Sequence, residues 1–445
     1  MKLKDILSAV NSRLGIDSLN KMQSNMLDTA AASRGDIVLL SPTGSGKTLA
    51  FLIPLIKELQ PAGRLQAVVI APSRELVMQI ADIARKIAGD CRITACYGGH
   101  NAADEKASLQ VEPDIIIATP GRLLDHINRK NVDVYRTRFL VLDEFDKSLQ
   151  LGFSEEMERI IHRMPNLKRR FLTSATAIDE IPDFVRISSP VTIRHEEAET
   201  ELRTRLDILK VVSPQRDKLD TLLLLLANQR DNTRSIVFVN HRDAAARVYD
   251  FLRQNGVPAG IYHGGMEQNE REKAIAMFNN GSFLVLVSTD LGSRGLDIAE
   301  VKHIIHYHLP VDAAAFTHRN GRTARIDASG AVHVIVAADE HIPEYMAFDS
   351  DESLDSDAKM DLNAPCATLY FKAGKKEKIS KGDIVGFLVN NASLQGGEIG
   401  AINCYDHYSL VAVPRNKAKA TIKAVEGKKI KNQKVKISLA IQQVE

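Results

Sequence analysis

The sequence predicts two parallel α/β domains in tandem followed by a small α+β domain, and three observations carry that reading. Continuous apolar runs separated by helical patterns occur in two series, and strands without polar alternation are buried on both faces, as in parallel sheets covered by helices. A charged stretch, His195-Glu-Glu-Ala-Glu-Thr-Glu201, divides the two series. The final segment is basic and reads strand, helix, strand, strand, helix, strand.

The first series consists of Ile37–Leu40, Ala67–Ala71, Asp114–Ala118, Phe139–Leu142 and Arg170–Thr173. Ser235–Val239, Gly260–His263, Phe283–Ser288, Lys302–His306 and Ala331–Val336 make the second. Residues 349–361 are acidic, rich in Ser and Asp and poor in apolar side chains, a composition expected of a poorly ordered tether. The last elements are Ala367–Lys372, Gly382–Asn390, Glu398–Tyr405, Tyr408–Val413, Lys417–Val425 and Lys434–Leu439, a split β-α-β order of the kind RNA-recognition folds use. The expected division is therefore 1–200, 201–348, a linker over 349–364, and 365–445.

Composition narrows the class. A chain of 445 residues has room for about three domains, and 44% hydrophobic with 26% charged residues is typical of soluble globular proteins. No apolar run approaches the ~20 residues that cross a bilayer, and Met1-Lys-Leu-Lys-Asp-Ile lacks the apolar core of a signal peptide, so a cytoplasmic location is expected. Cys91, Cys96, Cys366 and Cys404 show neither zinc-site spacing nor disulfide density and read as reduced, mostly buried thiols. The net charge of +2 hides an asymmetry: residues 365–445 hold 14 Lys or Arg against 6 Asp or Glu, a local +8 that leaves −6 on the rest. Such a basic tail suggests a nucleic-acid contact.

Ser41-Pro-Thr-Gly-Ser-Gly-Lys-Thr48 follows an apolar strand and opens a helical pattern, the context of a phosphate-binding loop. Gly44 and Gly46 let the backbone curl so that N–H groups point at phosphate oxygens, at the positive end of the following helix. Ser41, Thr43, Gly44, Ser45, Gly46, Lys47 and Thr48 are the candidate nucleotide contacts, with Lys47 on the outer phosphates and Thr48 on Mg²⁺. Val141-Leu-Asp-Glu-Phe-Asp146 places acids at a strand end, where Asp143 could hold Mg²⁺ and Glu144 could position or deprotonate the attacking water. His318-Arg-Asn-Gly-Arg-Thr-Ala-Arg325 offers arginines to neutralise charge on a transferring phosphoryl group. A cradle in one domain and arginines in the other describe an NTPase whose site both domains complete.

These motifs, with Gly15 and Gln23, Pro72-Ser-Arg-Glu-Leu76, Gly98-Gly99, Thr119-Pro-Gly-Arg122, Ser174-Ala-Thr176, Ile236-Val-Phe238, His263-Gly264 with Gln268 and Arg271, and Ser288-Thr-Asp-Leu-Gly-Ser-Arg-Gly-Leu-Asp297, stand in an order and spacing that resemble the DEAD-box ATP-dependent RNA helicases over the first ~350 residues. The resemblance implies two RecA-like domains that close on ATP and RNA. It implies that Gln23 selects adenine, Asp297 touches the ribose, Glu144 is the catalytic carboxylate alongside Lys47 and Asp143, and Arg322 and Arg325 are arginine fingers. Ser174 and Thr176 would couple hydrolysis to domain closure through Asp146. Arg74, Gly99, Thr119, Arg122, Thr289 and Arg294 would lie along RNA backbone, in contacts indifferent to base sequence.

The chain departs from the family pattern in places. Phe145 stands where the family has Ala and must find room beneath the site. Ile16 and Leu19 occupy the Phe and Pro positions of the adenine-reading motif, and the upstream stacking aromatic is Ile6, which would relax adenine selectivity or ATP affinity. Ala324 and Asn320 replace Gly and Ile between the arginines, with little effect expected.

The tail resembles that of the DbpA group of bacterial DEAD-box proteins, through Gly374-Lys-Lys376, Gly382-Asp-Ile-Val-Gly386, Gly397-Glu-Ile-Gly400 and Tyr408-Ser-Leu-Val-Ala-Val413. That resemblance implies an RRM-like domain that directs the enzyme to large-subunit ribosomal RNA during ribosome assembly. With Tyr408, Leu410 and Val413 on the third strand, little base stacking is available. RNA binding is expected to rest on Lys375, Lys376, Lys428, Lys429 and Lys431, with Tyr370 or Tyr408 either stacking on bases or serving structure. The expected activity is RNA-stimulated ATP hydrolysis that unwinds short duplexes or remodels RNA–protein complexes, by a chain working as a monomer. An ATP-gated RNA clamp that seldom unwinds, and action on DNA, are the alternatives.

Overall fold

The all-apolar runs β2 (Ala67–Ile70), β4 (Ile115–Ala118) and β5 (Phe139–Leu142) are buried at every position. Their side chains alternate between two cores, Val69, Ile117 and Val141 on one face and Val68, Ile116 and Leu140 on the other, as a doubly covered sheet requires. With β1 (Ile37–Leu40), β3 (Ile93–Cys96), β6 (Arg169–Ser174) and β7 (Val191–Arg194) they pair in parallel in the order β3-β4-β2-β5-β6-β1-β7. The structure, a computed structural model, describes the chain except residues 43, 100–101, 177–179, 188, 196–203, 230–231, 291–297, 299–300, 324–328 and 443–445 and the side chains of 102–104. The edge strands β3 and β7 were not expected from the sequence, because half or more of their residues are not buried and the continuous apolar signature is missing.

A second compact unit, beginning at Arg205, holds the other parallel sheet and the tail. Its strands are β8 (Leu206–Ser213), β9 (Ser235–Val239), β10 (Ala259–Tyr262), β11 (Val285–Thr289), β12 (His303–His306), β13 (Gly330–Ala337) and β14 (Ser350–Asp351), ordered β10-β11-β9-β12-β13-β8-β14. Both sheets have the RecA-like form expected. The eight-residue β8 escaped the sequence reading because buried and open positions mix along it.

The acidic segment is not the poorly ordered tether its composition suggested. Asp349 exchanges hydrogen bonds with Ile208, its N–H donating to the Ile208 carbonyl and its carboxylate accepting the Ile208 N–H, both at 2.8 Å. Ser350–Asp351 then adds to β8 as an edge strand. Asp351 meets Lys210 at 2.9 Å and Glu352 meets His333 at 2.6 Å, while Leu354, Met360, Leu362 and Ala364 join the core of this unit. Asp349, Asp351 and Glu352 thus have local partners, and Leu354, Met360, Leu362 and Ala364 bind the segment to its domain.

The tail has β15 (Cys366–Phe371), β16 (Ile402–Cys404), β17 (Ser409–Pro414) and β20 (Ile437–Leu439) in an antiparallel sheet ordered β16-β17-β15-β20, plus a hairpin of β18 (Lys429–Ile430) and β19 (Gln433–Lys434). This is the expected split β-α-β sheet. Helices Lys381–Ala392 and Arg415–Val425 share one core with Leu369, Phe371, Val411 and Val413. By strand alternation Thr368 and Tyr370 leave that core. Thr368 Oγ1 lies 2.8 Å from Asn280 Nδ2 and 2.7 Å from Ser282 Oγ, and Lys273 sits 5.2 Å above the Tyr370 ring. Gln442 follows the last strand and lays its amide against the edge strand β10, accepting the Ile261 N–H at 2.9 Å and donating to the Ile261 carbonyl at 2.8 Å. Among the described residues, no helix is long and apolar enough to cross a membrane.

Candidate nucleotide and nucleic-acid site

Parallel pairing brings the C-terminal ends of all strands to one edge of the first sheet, where open α/β sheets bind ligands. The strand order sorts the candidates. Adjacent β5, β6 and β1 lead into 143–146, 174–176 and the phosphate loop, whereas adjacent β3, β4 and β2 lead into Gly99, Thr119 with Arg122, and Arg74.

The phosphate loop continues the sheet for one residue, with the Ser41 N–H donating to the Ser174 carbonyl at 3.0 Å. It then turns through Gly44 and Gly46 at φ +84° and +90°, and Gly46 caps helix Lys47–Glu58. Its conformation is set by a neighbour the sequence reading missed: Asn20 donates to the Ser45 carbonyl at 2.9 Å and forms a capping box with Gln23, whose amide donates to the Gly46 carbonyl at 3.2 Å. Asn-x-x-Gln ahead of a helix was the available signal. A Cβ on Gly46 would stand 2.5 Å from the Gln23 amide nitrogen. Gly46→Ala therefore adds both clash and left-handed strain of about 1–3 kcal/mol, and is expected to weaken ATP binding roughly 10- to 100-fold in a fluorescent-nucleotide titration.

Lys47, 7% exposed, donates to the Ser41 and Pro42 carbonyls at 2.6 and 3.0 Å. Burial lowers its pKa, opposed by Glu144 and Asp143, so the ammonium sits where anionic oxygens would be held most strongly. Thr48 is half-buried in the first helical turn, and Ser41 and Ser45 hydroxyls bond each other at 2.8 Å.

β5 ends against β6, and Thr173 on β6, another residue not foreseen, holds both acids: its hydroxyl donates to Asp143 and accepts the Glu144 N–H at 3.2 Å. Burial, then the neighbouring Glu144 charge, pushes the Asp143 carboxyl up to about 6. Glu144 has a left-handed backbone, φ +47°, a conformation costing about 1–3 kcal/mol for a side chain of this kind and found where a site requires it. Its Oε2 accepts from Lys147 at 2.8 Å, and Lys147 is completely buried. Phe145 finds its room in the core with Leu142, Met157 and Leu172. Thr176 donates to Asp146 at 2.9 Å, but Ser174 donates to the Thr176 carbonyl at 2.6 Å, so the Asp146 contact runs through Thr176 while Ser174 shapes the turn.

Ile6 is fully buried among Val10, Met22 and Met26, so it is a core residue and not a position from which anything stacks on adenine. Arg74 lies against Gly98 and Gly99; a Cβ on Gly99, at φ +96°, would stand 2.2 Å from the Arg74 guanidinium. Arg122 donates to Glu105 at 2.7 Å, and the same carboxylate meets His126 at 2.7 Å and the Tyr97 N–H at 2.8 Å. Thr119 caps the helix that carries Arg122. Burial pushes the Cys96 thiol up to about 12, the neutral buried thiol expected.

In the second unit Thr289 ends β11, 5% exposed. Arg319, 1% exposed, grips Asp290 with two bonds of 2.6 Å and donates to the His308 carbonyl and Asn240, both at 2.8 Å, joining the ends of β9, β11 and β12. Arg322 is three residues on, past the end of helix Ala313–Asn320, and 3% exposed. Thr43, Arg294, Asp297 and Arg325 lie outside the described residues.

In the tail, Lys375, Lys376, Lys428, Lys429 and Lys431 are all exposed. Lys431, however, pairs with Asp383 at 2.8 Å. Tyr408, a candidate RNA contact, donates to Glu272 at 2.7 Å and stacks between Tyr405 and Tyr370 at 4.6 and 5.5 Å, which makes it part of the packing between the tail and helix Gln268–Asn279.

Comparison with known proteins agrees with this arrangement. Residues 20–184 match the DEAD/DEAH box helicase family, residues 216–327 the helicase conserved C-terminal domain, and residues 368–439 the DbpA RNA binding domain. The chain is 31% identical to the ATP-dependent RNA helicase DbpA of Bacillus subtilis, over 98% of this chain and 97% of the relative. Identity to the Escherichia coli DbpA is 32%, over 96% of each. Among solved structures, S. cerevisiae Dbp5 bound to RNA and ADP BeF3 aligns with a TM-score of 0.66 at 25% identity, over 75% of this chain and 87% of that one. Mss116 bound to ssRNA and UDP-BeF shares the fold, with a TM-score of 0.69 at 22% identity over 88% and 84%. With a phosphate loop, paired acids and an arginine motif on two RecA-like sheets, and a DbpA-type tail behind them, the chain belongs to the DEAD-box ATP-dependent RNA helicases.

Proposed function

We propose that this helicase uses ATP hydrolysis to open short duplexes in structured large-subunit ribosomal RNA during ribosome assembly, acting as a cytoplasmic monomer. The observation that carries the target is the DbpA RNA binding domain at residues 368–439, since the two RecA-like domains serve RNA in general. The segments 1–200, 201–348, 349–364 and 365–445 are its working parts.

Mg²⁺ fits the residues present. Thr48 and Asp143 are hard oxygen donors, and three buried carboxylates (Asp143, Glu144, Asp146) outnumber the buried ammoniums of Lys47 and Lys147. When bound, the ion would neutralise phosphate charge and polarise the γ-phosphoryl group. The residues do the rest. Loop N–H groups and Lys47 bind the phosphates, Gln23 reads adenine, and Asp297 holds the ribose. Glu144 orients the attacking water and takes its proton, while Arg322 and Arg325 stabilise the charge that builds on the transferring group. Thr176 on Asp146 links that chemistry to the turn after β6, and Arg74, Gly99, Thr119, Arg122, Thr289 and Arg294 follow RNA backbone.

The test compares ATPase stimulation and strand release on a large-subunit ribosomal RNA hairpin, an unrelated hairpin of equal length, and the matching DNA. At least tenfold stronger half-maximal stimulation by the ribosomal hairpin is expected, with strand release that requires ATP. Equal response to the unrelated hairpin would remove the ribosomal target, hydrolysis without release would make the protein a clamp, and equal response to DNA would remove the choice of RNA.

A further inference from the structure

A cavity of about 500 Å³ opens in the second unit between the second RecA-like sheet and the tail. Arg253 stands on one wall and Arg415 and Lys419 on the other, and among the described residues no carboxylate lines it. Its lining mixes apolar Met277, Phe283 and an Ile441 that is 71% exposed with polar Ser282, Thr368 and Gln442. Arg415 is fixed in place, donating from Nε to the Ala364 carbonyl at 2.6 Å and from Nη2 to the Ser282 carbonyl. Burial lowers its pKa, opposed by Cys366 and, to a smaller extent, reinforced by the positive charge of Arg253. Two like charges facing each other without an acid between them cost energy that a shared anion removes.

The geometry points to this cleft as a binding site for RNA backbone, one phosphodiester lying between Arg253, Arg415 and Lys419 with its base or ribose against the exposed Ile441. Arginine suits this role because its planar fork matches phosphate oxygens. RNA is the occupant the surroundings favour: one wall belongs to the helicase C-terminal domain and the other to the RNA binding domain, and cations beside an exposed apolar side chain complement a polyanion carrying flat bases. Thr368, which leaves the tail core on the same side as Tyr370, is part of its lining. The cleft would therefore grip RNA at the seam between motor and tail and fix where the tail's RNA enters the motor. The inference rests on the reading of this chain as an RNA-binding motor.

The experiment measures affinity for a hairpin with a single-stranded extension as a function of salt, using the full-length protein, the double variant Arg253→Glu/Lys419→Glu, the milder Arg253→Gln/Lys419→Gln, and an exposed charge reversal elsewhere, Arg159→Glu. Each lost phosphate contact lowers the slope of log affinity against log salt by about 0.7–0.9. A drop of about 0.7–0.9, one phosphate, is expected for the neutral double variant, with more than tenfold weaker binding at low salt, and no such change in Arg159→Glu. Melting temperatures matching the wild type exclude misfolding as the cause. Wild-type affinity and slope in a folded neutral double variant would overturn the cleft, as would an equal loss in Arg159→Glu. Failure of the wild-type protein itself to bind RNA would instead overturn the reading beneath it.

Discussion

Glu144→Gln is expected to lower ATP turnover by about 10²- to 10⁴-fold while leaving ATP and RNA binding close to wild type, because it removes a base and little else. Glu144 is held at two points: its backbone N–H donates to Thr173, and its carboxylate Oε2 accepts from the ammonium of a fully buried Lys147. A glutamine keeps the volume and can still accept from Lys147, so the loop need not rearrange. What it loses is the capacity to take a proton from water. Single-turnover hydrolysis beside equilibrium binding of a non-hydrolysable nucleotide separates these effects, and wild-type turnover would take Glu144 out of catalysis. The left-handed backbone at this position points the same way, since its strain is worth keeping only where a side chain must be aimed.

Arg319→Met should destabilise the second domain by about 3–5 kcal/mol, the usual cost of removing one partner from a buried ion pair. Asp290 loses a two-pronged partner, and the ends of β9, β11 and β12 lose the residue that joins them. In the wild-type protein burial, and then the Arg319 charge, push the nearby His306 pKa down to about 3. Urea denaturation of the full chain provides the measurement. Arg319→Lys should recover only part of the loss, because an ammonium lacks the planar fork. A variant with wild-type stability and no ATPase activity would return Arg319 to the chemistry.

That arginine shows how far the sequence could be read. His318 to Arg325 presents three arginines of equal standing in one dimension, yet Arg319 is locked into the fold by partners 11 to 79 residues away. Continuous apolar strands were legible because burial on both faces leaves a pattern in the residues themselves. Edge strands β3 and β7 and the inner strand β8 were not, since half-exposed strands mix polar and apolar positions. The phosphate loop and the acids could be found from spacing, but Thr173 became visible only through register: Leu142 pairs with Leu172, so Thr173 falls beside Asp143. Ile6 failed for the converse reason, a position matched by spacing whose side chain points into a core. In the acidic segment, composition outweighed the few apolar residues that decide its placement.

The amide of Gln442 beside β10 has a consequence for how this protein behaves in a crowded solution. A sheet edge with free N–H and C=O groups is a template for strands of other molecules. Here one side chain at the far end of the chain imitates a neighbouring strand and occupies the edge at Ile261. Gln442 thus covers the edge of the motor sheet at Ile261, and Gln442→Ala would open that N–H and carbonyl to a strand from another molecule.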